Sequence, residues 1–238
     1  MSTSEDVSND QSIAPIEALI FDMDGLLVDS EPLAGRALAQ FLLAQGHAIL
    51  PDTMAKTLGR RLPEAIALLA EMYNLTSPLP ELIDTYDRLR LAALRGNLHP
   101  MPGAAALITF AREANLRLGL ATSSLRSHAD LTLAETALTG LFDAEATGDE
   151  VVHGKPAPDI FLLCAERLGV SPAACVVLED APAGLAAAAA AGMPRLWIPN
   201  SITVDLAIPV PVDATLSDLH AVMPWLRMHG IGKSQPSA

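Results

Sequence analysis

Short apolar runs alternate with longer amphipathic segments along most of the chain. Four short, mostly apolar runs predict buried strands; they are residues 16–21, 116–121, 174–178 and 195–198, with a shorter candidate near Ala144. The first three are followed by small or acidic polar residues. Helices are predicted over 102–115, 125–138, 159–168 and 182–191, where Pro and Gly mark several of the ends. Because strands and helices alternate, the pattern predicts an α/β fold with a doubly wound parallel sheet of the Rossmann-like type.

One interval interrupts this alternation. About 95 residues separate the first two predicted strands, although a crossover between parallel strands needs only about 12. Glycines punctuate the interval, and Ile66, Leu69 and Tyr73 recur at helical spacing. Helices are expected there over 33–45, 53–58, 63–73 and 79–94. The sequence therefore predicts an inserted α-helical domain at 33–97, a core formed by 15–32 and 98–228, and flexible tails at 1–14 and 229–238.

Composition narrows the class of protein. The net charge of −13 argues against a nucleic-acid partner, which would need a basic face. The longest apolar run, 185–193, is too short to cross a membrane, and the N-terminal residues have no signal-peptide pattern. Two cysteines in apolar surroundings fit a reducing compartment. We expect a cytoplasmic protein without membrane partners, either a monomer or a weak homodimer.

Chemically competent side chains follow the predicted strands. They are Asp22 and Asp24 after the first strand, Thr122 and Ser123 after the second, Glu179 and Asp180 after the third, and Lys155 in a loop before the third. In open parallel sheets, ligands bind at the carboxyl ends of the strands. Four carboxylates there would repel one another unless a cation lies among them, and Mg²⁺ prefers such oxygen ligands. The residues expected at this edge of the sheet predict phosphoryl chemistry, in which Lys155, Thr122 and Ser123 bind phosphate oxygens.

Each of these features has a structural alternative when taken alone. An Asp-x-Asp pair after a strand is often a turn, and Thr-Ser-Ser is often a helix N-cap. A lysine beside prolines is often a solvated loop charge, and Glu-Asp before a helix can complement the helix dipole. Their joint occurrence at one sheet edge favours a functional site.

With these residues in place, the chain resembles the haloacid dehalogenase superfamily, in particular its phosphatase and phosphomutase branch with a helical cap after the first strand. The resemblance covers about residues 16–218. It rests on residues 21–32 (FDMDGLLVDSEP), 121–124 (ATSS), 154–159 (GKPAPD) and 178–184 (LEDAPAG). The resemblance implies that the helical insertion is the cap domain.

The resemblance also implies a role for each residue of these motifs. Asp22 would be the nucleophile that forms an aspartyl-phosphate, and Asp24 would act as general acid and then as general base. Mg²⁺ would be bound by the carboxylates of Asp22 and Asp180 and by the backbone carbonyl of Asp24, with Glu179 beside or behind them. Thr122, the Ser123 backbone and Lys155 would hold the phosphate, and Lys155 would keep Asp22 ionised. The presence of Asp24 argues against a dehalogenase.

Phosphatases and mutases of this branch share the core, so the cap must distinguish them. Relatives resembling β-phosphoglucomutase carry a His five residues after the position of Asp29, where this chain has Ala34. They also carry an Arg three residues after the cap glycine, Gly59, where this chain has Leu62. Both departures favour hydrolysis of a small phosphorylated metabolite. A sugar phosphomutase remains the alternative, followed by a non-catalytic protein that binds a phosphorylated ligand.

Four residues are candidates for substrate selection. Glu31 and Arg61 are expected to bind substrate: Glu31 as acceptor for a sugar hydroxyl, Arg61 by reaching a carboxylate or second phosphate. Arg60, next to Arg61, has the same expected reach, and Arg126 follows the predicted phosphate loop. Their alternatives are structural, since Glu31 also suits the first turn of a helix and the arginines also suit a solvated surface.

Overall fold

Six parallel strands form one sheet within residues 15–232, the part of the chain that the computed structural model describes. The strands are β1 (Ala18–Phe21), β2 (Arg117–Ala121), β3 (Ala144–Ala146), β4 (Cys175–Glu179), β5 (Arg195–Trp197) and β6 (Ala214–Thr215). Their order across the sheet is β3-β2-β1-β4-β5-β6. The chain therefore crosses from one half of the sheet to the other beside β1, where ligands of such sheets bind.

The sheet is buried on both faces, which confirms the doubly wound fold. Leu19 and Phe21 of β1 pack into one apolar cluster, whereas Ala18 and Ile20 point to the opposite face and a second cluster. The first face is covered by α5 (Ala104–Glu113), α6 (Arg126–Glu135) and α9 (Val222–Met228), and the second by α7 (Asp159–Leu168) and α8 (Pro182–Ala190). Burial on both faces explains why the central strands read as almost continuous apolar runs.

Four helices between β1 and α5 build a third apolar cluster of their own. They are α1 (Glu31–Ala44), α2 (Thr53–Thr57), α3 (Leu62–Tyr73) and α4 (Leu79–Leu94). Helix α4 packs against both α1 and α3, and the rings of Phe41 and Tyr86 meet edge to face at 5.6 Å. We call this helical layer the cap.

Several predicted boundaries differ from the observed ones. Helix α1 begins at Glu31, inside the segment 15–32 predicted for the core, because Pro32 suits the first turn of a helix. Helix α6 ends at Glu135 rather than 138, and Ala137 then takes a left-handed backbone conformation with φ of 57°. Strand β6 and helix α9 were not predicted. None of the described helices combines the length and the apolar character that crossing a membrane requires.

The C-terminal boundary also differs from the expected one. The backbone N–H of Ile231 donates to the carbonyl of Leu226 at 3.0 Å, and Ile231 packs against the sheet cluster. Residues 229–232 therefore extend the folded core, although the sequence predicted a tail from 229 onwards. The remainder of that predicted tail, 233–238, and the predicted tail 1–14 lie outside the described residues.

Candidate active site

Three carboxylates and one lysine lie together at the carboxyl ends of β1 and β4. Asp22, Glu179 and Asp180 each place one oxygen within 4.8 Å of the others. Lys155 donates from Nζ to Asp22 Oδ1 and to Glu179 Oε1, both at 2.6 Å, and to the carbonyl of Ala121 at 3.2 Å. All four charged side chains are buried. We refer to these four residues as the acidic cluster.

The electrostatics of the acidic cluster favour binding of a cation. Burial raises the pKa of Asp22 well above its usual range; Lys155 opposes this shift and Glu179 adds to it. Burial, followed by Glu179 and Asp22, likewise raises the pKa of Asp180. Burial alone would lower the pKa of Lys155, but Asp22 and Glu179 raise it. The ionised cluster has an excess of two negative charges, and its donors are all oxygens, so it fits a hard divalent cation.

Two glycines allow the backbone to approach this cluster closely. A Cβ atom at Gly184, in the first turns of α8, would lie 1.7 Å from Glu179 Oε1. Glu179 can therefore lie under that helix, where its Oε2 accepts from the backbone N–H of Ala181 at 3.0 Å. Gly25 has a φ of 82°, and a Cβ there would lie 2.7 Å from Asp180 Oδ2. Any side chain at either position would displace a carboxylate of the cluster.

Asp24 lies beside the acidic cluster but has a different set of partners. Its Oδ1 accepts from Ser30 Oγ at 2.7 Å and from Arg90 Nη2 at 3.2 Å, and its Oδ2 accepts from Ser124 Oγ at 2.6 Å. Burial would raise the pKa of Asp24, but the charge of Arg90 and the two hydroxyl groups hold it below its usual value. Asp24 is thus an ionised acceptor that faces the cap.

A cavity separates the sheet edge from the cap. Its floor is formed by Asp22, Asp24, Thr122, Ser123, Glu179 and Asp180. The cap contributes five polar side chains, Glu31, Thr57, Arg60, Tyr86 and Arg90. It also contributes an apolar wall that includes Ala34, Leu38, Leu58, Leu62 and Leu69. Because the cap lies over the floor, a ligand bound in the cavity would be partly shielded from bulk water.

Comparison with known proteins identifies the family. Residues 16–192 match the family model of haloacid dehalogenase-like hydrolases. The chain belongs to this family. The resemblance inferred from the four sequence motifs is thereby confirmed, and the protein is a haloacid dehalogenase-like hydrolase.

This hydrolase is similar to several named phosphatases. It is 33% identical over 182 residues to the Phosphorylated carbohydrates phosphatase of Thermotoga maritima, covering 76% of this chain and 84% of that protein. It is 35% identical over 190 residues to Hexitol phosphatase B of Escherichia coli, covering 77% and 84%. The crystal structure of CbbY from Rhodobacter sphaeroides in complex with phosphate aligns with a TM-score of 0.76 at 28% identity, covering 86% of this chain and 95% of that one.

The hydrolase has its two predicted hydroxyl residues at the cavity floor. Thr122 Oγ1 accepts from the backbone N–H of Ser124 at 3.1 Å, which shapes the turn after β2. Ser123 donates from its hydroxyl to the carbonyl of Gly59 in the cap at 2.8 Å. Its side chain thus links core and cap, and phosphate binding by its backbone stays a prediction.

The predicted arginines have different positions. Arg61 Nη1 donates to the carbonyl of Val151 at 2.8 Å, so this residue joins the start of α3 to the loop that precedes Lys155. Arg126 binds Glu145 at 2.6 Å, on the sheet side of α6. Arg60, by contrast, lines the cavity. Substrate binding by Arg61 stays a prediction.

Arg90 and Asn200 are among the polar residues of the site that were not predicted from the sequence. Arg90 reaches Asp24 from α4, and Asn200 donates from Nδ2 to Asp180 Oδ2 at 2.8 Å. A signal for Arg90 exists, because it continues the buried i, i+4 stripe of Leu82 and Tyr86 on an amphipathic helix. Asn200 follows β5 by three residues, where the rule that ligands bind at strand ends also applies.

Glu31, a predicted substrate residue, has a perturbed carboxyl group. Burial raises the pKa of Glu31 to about 7; Asp24 adds to the shift, while Arg90 opposes it. In the unfolded chain the same carboxyl ionises near pH 4.3. The folded state therefore retains a proton that the unfolded state releases, so Glu31 costs stability increasingly between about pH 4.5 and 7.

We expect Glu31→Gln to stabilise the metal-free protein more at pH 8 than at pH 5.5. The amide cannot ionise, so the difference between the two pH values should be on the order of 2 kcal/mol. Urea unfolding in EDTA measures it. Glu71→Gln, at an exposed position of α3, is the matched control and should show no such difference. An equal effect of Glu31→Gln at both pH values would contradict the shifted pKa.

Proposed function

We propose that this protein is a Mg²⁺-dependent phosphatase that hydrolyses a small sugar, polyol or nucleoside monophosphate through an aspartyl-phosphate on Asp22. The observation that carries the proposal is the acidic cluster on the floor of a capped cavity, with a second carboxylate, Asp24, beside it. The names of its relatives support the phosphatase reaction and a phosphorylated small molecule as substrate.

In the proposed mechanism Asp22 is the nucleophile, and Asp24 is the general acid and then the general base. Lys155 holds Oδ1 of Asp22, so Oδ2 is the oxygen that attacks phosphorus in line. The bond from phosphorus to the ester oxygen breaks as the new bond forms. Asp24 takes up a proton from solvent when the bound substrate displaces one of its hydrogen-bond donors, and it gives this proton to the departing oxygen. Asp24 then accepts a proton from water that attacks phosphorus, the bond to Asp22 breaks, and inorganic phosphate leaves.

The other residues of the cavity floor would bind the phosphate group and the metal ion. Thr122, the Ser123 backbone and Lys155 bind the phosphate oxygens and stabilise the charge that develops on them. The carboxylates of Asp22 and Asp180, with the carbonyl of Asp24 and with Glu179 beside them, would hold Mg²⁺. The ion, when bound, supplies positive charge to the transferred phosphoryl group.

A sugar phosphomutase is the second candidate, and the cap argues against it. Ala34 and Leu62 stand where the mutases carry a His and an Arg, and both line the cavity. Neither can donate a hydrogen bond or a charge to a second phosphate. The observed lining therefore supports hydrolysis, in which water takes the phosphoryl group from Asp22.

Phosphate release from a panel of sugar, polyol and nucleoside monophosphates tests the proposal. We expect release with Mg²⁺ and loss of it in EDTA, because without the cation the acidic cluster is left with uncompensated charge. Conversion of β-glucose 1-phosphate into an isomer without phosphate release would assign the mutase reaction instead. Binding of the panel compounds without any turnover would assign a ligand-binding protein.

We also propose that the enzyme acts in the cytoplasm. Cys164 and Cys175 are both unpaired and buried, and burial raises the pKa of Cys164 to about 12 and that of Cys175 to about 11. Thiols with such pKa values react slowly. They suit a reducing compartment, and neither contributes a ligand to the site.

A further inference from the structure

Arg90 brings a buried positive charge from the cap to the active site. Its side chain is 14% exposed, and its Nη2 donates to Asp24 Oδ1 and to Ser124 Oγ, both at 3.2 Å. Its Nε is buried and has no hydrogen-bond partner among the described residues. Since an unpaired buried N–H is unfavourable, the guanidinium has a donor available for a ligand oxygen.

Asp24 cannot reach a substrate while it keeps all the donors that surround it. Its two oxygens accept from Ser30, Arg90, Ser124 and, at 3.5 Å, Thr122, which occupies the roughly four acceptor sites of a carboxylate. To protonate an ester oxygen, Asp24 must give up at least one of them. Arg90 is the donor that belongs to the cap, and a guanidinium has five N–H groups and no acceptor. It will leave Asp24 only for another acceptor in the cavity.

We propose that Arg90 recognises the leaving group. When substrate is bound, the guanidinium gives up its hydrogen bond to Asp24 and donates instead to an oxygen on the carbon adjacent to the ester-bearing carbon. The proposal rests on the proposed phosphatase function. Arg90 Nη2 is 3.2 Å from Asp24 Oδ1, and a proton donor lies about 3 Å from its acceptor. Arg90 is therefore within roughly 6 Å of the ester oxygen, a distance at which it meets substituents of the neighbouring carbon.

Glu31 defines the chemical class of that substituent. It lines the same cavity as Arg90, and its carboxyl is among the groups whose charge raises the pKa of Arg90. A hydroxyl group both accepts and donates, so it can use Arg90 as donor and Glu31 as acceptor. A second anion would instead face Glu31 and the carboxylates of the floor. The two residues thus select a neutral polyhydroxy leaving group.

A cycle of two enzymes and two substrates tests this role. Glycerol 3-phosphate carries a hydroxyl next to the ester carbon, and 1,3-propanediol monophosphate lacks only that hydroxyl. We expect wild-type kcat/KM to be about 10-fold to 100-fold higher for glycerol 3-phosphate. In Arg90→Met this preference should fall to less than about 3-fold. Turnover of p-nitrophenyl phosphate, which has no such hydroxyl, reports the effect of Arg90→Met on Asp24 itself, so the ratio between the two polyol substrates is the readout of leaving-group recognition.

Arg88→Met is the matched control, because Arg88 lies on the same helix with its side chain 68% exposed and paired with Asp84. It should keep the wild-type preference. Arg90→Lys retains a charge but not the fork of donors, so it should keep a reduced preference. This variant also serves if Arg90→Met does not fold.

Three results would overturn the role of Arg90. The first is equal hydrolysis of both polyol substrates by the wild-type enzyme. The second is wild-type turnover of p-nitrophenyl phosphate without turnover of any polyol phosphate. Alternatively, the Arg90 variants would lose the same factor on every substrate, which would mean that Arg90 binds the transferred phosphate or only supports the fold. Absence of phosphate release from all compounds by the wild-type enzyme would overturn the proposed phosphatase function instead.

Discussion

Asp22→Asn is expected to reduce phosphate release by about 10,000-fold or more, the scale seen when a nucleophile is removed. The amide has no charged oxygen to attack phosphorus and cannot form the aspartyl-phosphate. Its carbonyl oxygen can still accept from Lys155, so the geometry of the acidic cluster should persist. Steady-state phosphate release measures the rate, and mass spectrometry of the enzyme mixed with substrate should detect the phosphorylated form in the wild type alone.

The same variant should not be less stable than the wild type. Burial and the charge of Glu179 already disfavour ionised Asp22, so removing its charge should raise the free energy of unfolding in EDTA. Asp29→Asn, at an exposed position of the same loop, is the matched control and should keep wild-type turnover. Near-wild-type activity of Asp22→Asn would assign the nucleophile to another group.

Lys155→Met is expected to lower the free energy of unfolding by about 3–5 kcal/mol, because removing one partner of a buried ion pair leaves uncompensated charge. Asp22 and Glu179 would both lose their donor. Turnover should fall by about 1,000-fold, since the phosphate also loses a positive charge in a water-excluded site. Urea unfolding and phosphate release measure the two effects. Lys56→Met, at a side chain 53% exposed, is the matched control and should change neither.

A double variant separates the two effects of Lys155. Lys155→Met combined with Glu179→Gln removes one negative charge along with the positive one, so part of the lost stability should return. Turnover should stay low, because the phosphate-binding charge is still absent. Recovery of activity together with stability would mean that Lys155 supports the fold and does not act on the substrate.

The core of the site was predictable because its residues are local to strand ends. Asp22, Thr122 and Glu179 each follow or end an apolar run, and parallel strands carry such residues to one edge. Lys155 was expected at this edge from its loop before the third strand, but its burial was not, since a lysine beside prolines is ordinarily solvated and here is 2% exposed. Its burial follows from contacts with residues 24 and 133 positions away.

The helices of the cap were predictable from the sequence, but the side chains that the cap directs at the active site were not. The helical spacing of apolar residues and the glycines between segments predicted the helices α1 to α4 to within a few residues of their observed ends. The pattern of apolar and polar residues did not indicate which cap arginine reaches the active site. Arg61 was expected to bind substrate, yet it contacts the loop before Lys155, whereas Arg90 reaches Asp24. Arg90 and Asp24 are 66 positions apart, and their contact depends on how α4 docks on the core.

The sequence by itself determined the order of strands and helices apart from β6 and α9, the doubly wound arrangement of the sheet and the carboxylates at its edge. These features depend on periodicity and on neighbours along the chain, both of which can be read from residue types. Only the tertiary structure decided which donors surround Asp24, which side chains line the cavity and where the cap closes. Those contacts join distant segments through packing of the cap against the core, and many different arrangements satisfy the same local pattern of apolar and polar residues.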